Sequence, residues 1–156
     1  FQDSTLQAIG SDAESQYANM DDINSQLNNA FERLKKYLPE MPIPFVYAQL
    51  SALDQSIVIG DKTIGISLDK YLGKDYPLYE KYYLPSQRES MSREYIVPEC
   101  LNFYLLSLYP MSDFEERSQL ERDLHIGKIM WVSNVALGHK FFKSRYIDAI
   151  DKYMCQ

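Results

Sequence analysis

Apolar residues between Asp21 and Leu38 recur at spacings of three and four, which is the pattern of an amphipathic helix. Two aspartates at its start suit the positive end of the helix dipole. Three prolines within residues 39–44 end this helix, because proline lacks the N–H group that a helix interior needs and restricts the residue before it. Residues 1–19 are mostly polar, and we expect them to form a mobile N-terminal lead-in.

Three short segments rich in Val, Ile, Tyr and Thr follow, and they predict strands at residues 45–50, 56–60 and 63–68. A Gly-Asp-Lys turn at residues 60–62 makes the last two strands the surest pair, a hairpin. In the third strand Ile64 and Ile66 alternate with Gly65 and Ser67. One face is therefore apolar and expected to pack on helices, whereas the other is small, polar and open to something else.

The second half of the chain predicts helices. Residues 95–108 are apolar nearly all round, which indicates a central helix buried on several sides. Ser112 with Glu115 forms a capping-box pattern and predicts the start of a long helix. Gly127 inside that helix costs about 1 kcal/mol relative to alanine, which suggests close packing there. Ser144 is expected to cap a last helix.

Together these elements predict an α+β fold, in which a small three-stranded antiparallel or mixed sheet packs on helices. Residues 75–92 contain two prolines, and five tyrosines lie between residues 71 and 83, so we expect a partly helical, aromatic-lined loop. No internal repeat is present in the sequence, and residues 20–156 are interpreted as a single domain.

Composition supports an ordinary globular chain: 46% of its 156 residues are hydrophobic and 24% are charged. The formal net charge of −6 argues against the phosphate neutralisation that nucleic-acid binding requires. Two cysteines, Cys100 and Cys155, permit at most one disulfide and exclude a four-cysteine zinc site, and the sequence does not decide their redox state. Cys100 lies in an apolar run, where a small buried hydrophobic residue is expected.

Known catalytic patterns are missing from the sequence. His125 and His139 are too far apart to chelate a metal from one helix face, and the glycines lack the spacing of a phosphate-binding loop. No Gly-x-Ser-x-Gly elbow occurs. Asp69, Asp75 and Glu99 remain as unassigned carboxylate candidates. The sequence therefore predicts a protein that is not an enzyme and needs no cofactor.

Residues 66–79, ISLDKYLGKDYPLY, followed by residues 93–99, REYIVPE, resemble the gliding motility lipoprotein GldB family of Bacteroidetes. Supporting matches are PIP at residues 42–44 and IGK at residues 126–128, so the similarity extends from about Met20 to Lys152. It covers what looks like the N-terminal part of the family. The resemblance implies an envelope lipoprotein on the periplasmic side, attached to the membrane only through a lipid on a cysteine upstream of Phe1.

The same family looks like a relative of zinc-dependent proteases, in which three strands precede a helix with a His-Glu-x-x-His motif. The equivalent residues read Pro98-Glu99-Cys100-Leu101-Asn102, so the glutamate is kept and both histidines are absent. Ile126 stands where the resemblance implies a glutamate ligand. The expected fold is therefore zincin-like without the zinc site, since a catalytic zinc requires three protein ligands.

Two functions follow as hypotheses. The first is a non-catalytic envelope component that binds another protein or a peptide by strand addition, in the cleft between strand 63–68 and the central helix. Its binding residues are expected in a long loop that core packing does not require: Asp69, Tyr71, Leu72, Gly73, Asp75, Tyr76 and Tyr79. The open alternative is that these tyrosines only pack the loop onto the domain.

The second hypothesis is a metal-independent hydrolase in which Glu99 acts as the general base. It requires Glu99 to line an open pocket with another titratable group nearby.

Overall fold

A computed structural model describes residues 2–154, which form helices around a small sheet with one shared apolar core. The helices of this part are α1 (Asp3–Gln16), α2 (Asp21–Tyr37), α3 (Pro77–Tyr82), α4 (Pro85–Arg88), α5 (Ile96–Leu108), α6 (Gln119–Leu137) and α7 (Arg145–Met154). The strands are β1 (Phe45–Gln49), β2 (Ile57–Gly60) and β3 (Thr63–Ser67). The predicted α+β class is confirmed.

The sheet is mixed, with strand order β1-β3-β2. The central strand β3 runs parallel to β1 and antiparallel to β2, the predicted hairpin partner. Ile64 and Ile66 are fully buried on the face that packs against the helices. The opposite face, expected to be open, is covered: a Cβ atom at Gly65 would lie only 2.7 Å from the hydroxyl oxygen of Tyr47. The end of the Tyr47 ring thus lies directly over Gly65, and a larger residue there would displace it.

Helix α5 is the centre of the core, as its apolar sequence predicted. Leu101 and Leu105 are buried, and α5 contacts β2, β3, α2 and α6. The hydroxyl of Tyr104 donates a hydrogen bond of 2.6 Å to the carbonyl of Pro42, and its ring meets Phe31 edge-on. Only one side of α5 reaches solvent, where Phe103 is exposed.

The N-terminal residues differ from the expectation of a mobile lead-in, because residues 3–16 form helix α1. A narrow apolar stripe at Ile9, Ala13 and Tyr17 is buried against the domain. Most of the remaining positions of α1 are polar, so the mean composition of residues 1–19 does not reveal this buried stripe. Two side chains of α1 also make long-range hydrogen bonds: Gln16 donates to the Leu72 carbonyl and Asp12 accepts from Tyr76.

The start of α6 lies six residues later than the first capping-box pattern predicted. Ser118 is the N-cap, and its hydroxyl accepts a hydrogen bond of 3.2 Å from the backbone N–H of Glu121. Residues 118–121 have the same Ser-x-x-Glu spacing as residues 112–115. Asp113 has a positive φ angle of 54°, in the left-handed region of backbone conformation, so no α-helix can continue through it from Ser112. Ser144 caps α7 as predicted, accepting from the Ile147 N–H.

None of the helices in residues 2–154 combines the length and the apolar character needed to cross a membrane.

Gly127 provides a test of the α6–α7 contact. A Cβ atom there would lie 2.9 Å from the Cβ atom of Tyr146, closer than two carbons pack. Gly127→Ala should therefore lower the free energy of unfolding by about 1 kcal/mol, because overpacking outweighs the gain in helix propensity. Denaturant unfolding measures this difference.

Gly10→Ala in α1 is the matched control, since its Cβ atom would meet Leu50 at an ordinary 3.5 Å. That substitution should raise the free energy of unfolding by up to about 1 kcal/mol. Equal stabilisation by the two substitutions would contradict close packing at Gly127.

Candidate functional site

Asp69, the first predicted binding residue, is fully buried and holds the loop that follows β1. Its carboxylate accepts hydrogen bonds from the backbone N–H groups of Ser51, at 2.9 Å, and Leu53, at 2.7 Å. Ala52 and Leu53 both have positive φ angles, of 55° and 64°. Such angles are costly for residues other than glycine, so the carboxylate stabilises a strained turn.

Tyr71 and Tyr79 are interior residues, with 1% and 0% of their surfaces exposed. The Tyr79 hydroxyl donates to the carbonyl of Asp69 and accepts from the N–H of Leu72. The Tyr71 hydroxyl donates to a carboxylate oxygen of Glu99 at 2.6 Å. These tyrosines cannot rim a groove, and the geometry matches the alternative that they pack the loop onto the domain.

The remaining predicted binding residues divide between interior and surface. Leu72 is buried, Tyr76 is half-buried and donates to Asp12 at 2.6 Å, and Asp75 is exposed. Burial and the Asp12 carboxylate together raise the pKa of Tyr76 to about 12. Gly73 has a φ of +113°, and no atom lies within 4 Å of the position a Cβ would take. Residues 73–76, at the tip of the segment, are open to a partner, and Tyr76 lines a groove against α1.

Arg93, from the second family-like run, joins α1, α2 and the start of α5. Its guanidinium donates to both carboxylate oxygens of Asp22, at 3.1 and 2.6 Å, and this contact lowers the pKa of Asp22. It also donates to the carbonyls of Gln16 and Asn19 and stacks over the ring of Tyr17. The role of Arg93 is therefore to satisfy carbonyls that the end of α1 leaves without helical partners.

The four protease-motif positions lie on two helices that pack against each other, α5 and α6. Pro98 is buried in the first turn of α5, where proline is tolerated, and Glu99 contacts Tyr71 on the sheet side. Asn102 is largely buried, and its Oδ1 atom has no hydrogen-bond partner in the described part of the chain. Ile126 is half-buried on α6. In residues 2–154 no three His, Cys, Asp or Glu side chains are grouped to hold a metal ion.

Cys100 is fully buried, as predicted, and burial raises the pKa of its thiol, so it is not a reactive nucleophile. Cys155, its only possible disulfide partner in the sequence, lies outside the described residues.

Strand 63–68, which the sequence predicted as the edge for strand addition, is central in the sheet, and the two edge strands are β1 and β2. Four large apolar side chains on and beside β1 face solvent: Ile43 is 52% exposed, Phe45 70%, Tyr47 37% and Leu50 53%. The rings of Phe45 and Tyr47 stack on the same side of the strand. We refer to these four residues and the free edge of β1 as the β1 surface.

A groove of about 740 Å³ runs between α2 and β1. Its floor is apolar, and Leu27, Phe31 and Val46 contribute to it, whereas the α2 rim carries the amides of Asn24 and Asn28. The β1 surface and this groove adjoin, because Ile43 and Phe45 line both. The groove and the exposed side chains of β1 therefore form one continuous surface.

Sequence reasoning missed this surface although a signal was present. Apolar residues occupy every second position from Ile43 to Tyr47, and Pro42 and Pro44 stand beside them. Proline within or next to a strand is typical of a sheet edge, because it cannot donate to a neighbouring strand.

Glu99 gives the site a pH-dependent signature. Burial raises its pKa above the ordinary glutamate value of 4.5, and the Tyr71 hydrogen bond only partly opposes this. A carboxyl group whose pKa is higher in the folded than in the unfolded state stabilises the fold at pH values below its unfolded-state pKa. That stability is lost as the pH rises through the folded-state pKa. Glutamine cannot ionise, so the Glu99→Gln variant does not suffer this loss. The Tm of the variant minus that of the unaltered protein should therefore grow as the pH is raised from 4.5 to neutrality.

Thermal unfolding across that pH range is the measurement, and Glu89→Gln, at an exposed carboxylate, is the control. A constant difference between Glu99→Gln and the unaltered protein at all pH values would show that Glu99 is not held in an unfavourable environment.

Comparison with known proteins places the chain in a family. No curated protein and no solved structure matches the chain significantly. The family model described as gliding motility protein GldB matches residues 1–142, nearly the whole chain. This confirms the resemblance seen in residues 66–79 and 93–99, and the chain belongs to the gliding motility protein GldB family.

Proposed function

We propose that this domain is a non-catalytic component of the cell envelope that binds another protein by accepting an extended segment along the edge of β1. Membership of the GldB family associates the chain with envelope lipoproteins of gliding motility. The observation that carries the proposal is the row of exposed apolar side chains on an unpaired edge strand. The periplasmic location and a lipid anchor upstream of Phe1 are parts of the same proposal.

The backbone of β1 supports strand addition. The Phe45 N–H donates to the Lys62 carbonyl on the β3 side, at 2.9 Å. Because alternate residues of a parallel strand bond to the same neighbour, Tyr47 and Gln49 also face β3, and the peptide groups of Val46 and Ala48 point outward. No other strand of the described residues lies beside them. An extended partner segment supplies the missing hydrogen bonds.

Exposed side chains add apolar contact to those backbone bonds. Phe45 and Ile43 each expose more than half of their surface. Soluble domains rarely display several large apolar residues side by side unless that surface binds something. Aromatic residues are also over-represented among the residues that dominate binding energy at protein interfaces.

The hydrolase alternative lacks comparable support. Glu99 does not line the groove beside β1, and its carboxylate is engaged by the buried Tyr71 hydroxyl. The relationship to zinc proteases remains a proposal, supported by the order of three strands followed by the Glu99 helix. For the loop, we propose that only Gly73, Asp75 and Tyr76 contribute to binding, because the other predicted residues are buried.

Site-specific photocrosslinking in cells tests the β1 surface. A photoreactive phenylalanine analogue at position 45 should yield a discrete adduct with a partner protein. The same analogue at Leu84, which is 66% exposed on another part of the domain, should yield none. Equal adduct patterns at the two positions would contradict a specific β1 surface.

A second pair of substitutions tests the strand-addition geometry. Ala48→Pro removes an outward N–H from the edge strand and should abolish the adduct formed at position 45, whereas Ala48→Thr keeps the N–H and should preserve it. Circular dichroism and Tm should be similar for both variants, because edge strands tolerate proline. If Ala48→Pro retains the full adduct, the partner does not pair with the β1 backbone.

A further inference from the structure

The groove between α2 and β1 has two walls that both offer unused hydrogen-bonding groups. One wall is the outward edge of β1, where the backbone N–H and C=O of Val46 have no other strand of the described residues beside them. The other wall carries the side-chain amides of Asn24 and Asn28. Both amides are exposed, and neither bonds to another residue in the described part of the chain. Each amide therefore presents N–H donors and a carbonyl acceptor to whatever enters the groove.

The spacing of the two amides matches that of an extended chain. Asn24 and Asn28 are four residues apart on α2, so they are separated by about 6 Å along the helix axis. Peptide groups on one edge of a β-strand recur at every second residue, about 6.6 Å apart. Two amides one helical turn apart can therefore bond to two successive peptide groups on the same edge of a strand.

The charges that line the groove balance. Glu32 and Lys35 are the charged residues of its lining, and the Lys35 ammonium donates a hydrogen bond of 2.7 Å to the carbonyl of Met41. The floor is apolar at Leu27 and Phe31. Because the two lining charges cancel, the groove selects neither an acidic nor a basic segment. Its chemistry suits an uncharged segment that places apolar side chains on the floor.

We infer that Asn24 and Asn28 bind the backbone of the partner segment that pairs with β1. The inference rests on the proposed strand addition, since a segment in this groove turns one edge to β1 and the other edge to α2. The β1 backbone bonds to the first edge, and the two amides bond to N–H and C=O groups of the second. These bonds do not depend on the side chains of the segment, so the partner is recognised as an uncharged extended strand.

Photocrosslinking from both walls tests whether one segment fills the groove. The photoreactive phenylalanine analogue at position 32, which lines the α2 wall and leaves both amides in place, should capture the same partner as the analogue at position 45. At position 29, exposed on α2 but outside the groove lining, it should yield no adduct. An adduct at position 45 without one at position 32 would overturn this inference and leave strand addition intact. No adduct at position 45 would overturn the proposed function and this inference with it.

Substitution of the amides tests their role directly. Asn24→Ala with Asn28→Ala should lower the yield of the position 45 adduct about fivefold or more, which is the scale of one net hydrogen bond. Ser25→Ala with Asn29→Ala is the matched control: both residues are exposed on α2 at the same spacing, outside the groove lining, and the yield should not change. Neither pair should lower the Tm, because alanine is the better helix former. Equal adduct yields from the two pairs would show that the amides do not bind the segment.

Discussion

The fold depends on one constraint: Asp69, Tyr71 and Tyr79 place polar groups in the interior, and each of these groups needs a partner. An unpaired buried polar group costs about 1–3 kcal/mol, so a segment of this kind is stable only with a complete set of hydrogen bonds. Asp69 bonds to the turn after β1, Tyr79 closes the segment on itself, and Tyr71 reaches Glu99 on α5. Tyrosine suits this task because its ring fills the core while its hydroxyl extends to a distant acceptor.

This network ties the N-terminal helix to the domain. The hydroxyl of Tyr17 donates to the carbonyl of Tyr71, and Arg93 stacks on the same tyrosine while it binds Asp22. Each contact involves a residue from the two runs that resemble the GldB family: Tyr71 in residues 66–79 and Arg93 in residues 93–99. Their family-like character is therefore explained by folding, and it does not by itself mark a binding site. Residues that resemble a family pattern can stabilise the interior of the fold as readily as they can form a binding surface.

The sequence predicted helices and strands better than it predicted how they pair and which side chains they bury. Helices α2 and α5 and the β2–β3 hairpin follow from local periodicity, so the order of residues alone is enough to recognise them. The parallel pairing of β1 with β3 is different, because a contact between distant segments leaves no local signature. Exposure of Phe45 and burial of Tyr71 have the same origin: both are aromatic residues near turns, and only the tertiary arrangement separates them.

The resemblance to zinc proteases in the sequence extends to Glu99, whose contacts in this fold are structural. In such a protease the motif glutamate acts beside a metal in an open cleft, whereas Glu99 faces a buried tyrosine and helps to satisfy a loop. Pro98 and Asn102 fit this structural role, since the first stands in the first turn of α5 and the second is largely buried. Tyr71 and Tyr79 fill the interior beside α5, so the grooves that remain lie at the margins of the domain. The binding that we propose uses one of these margins, the edge strand β1.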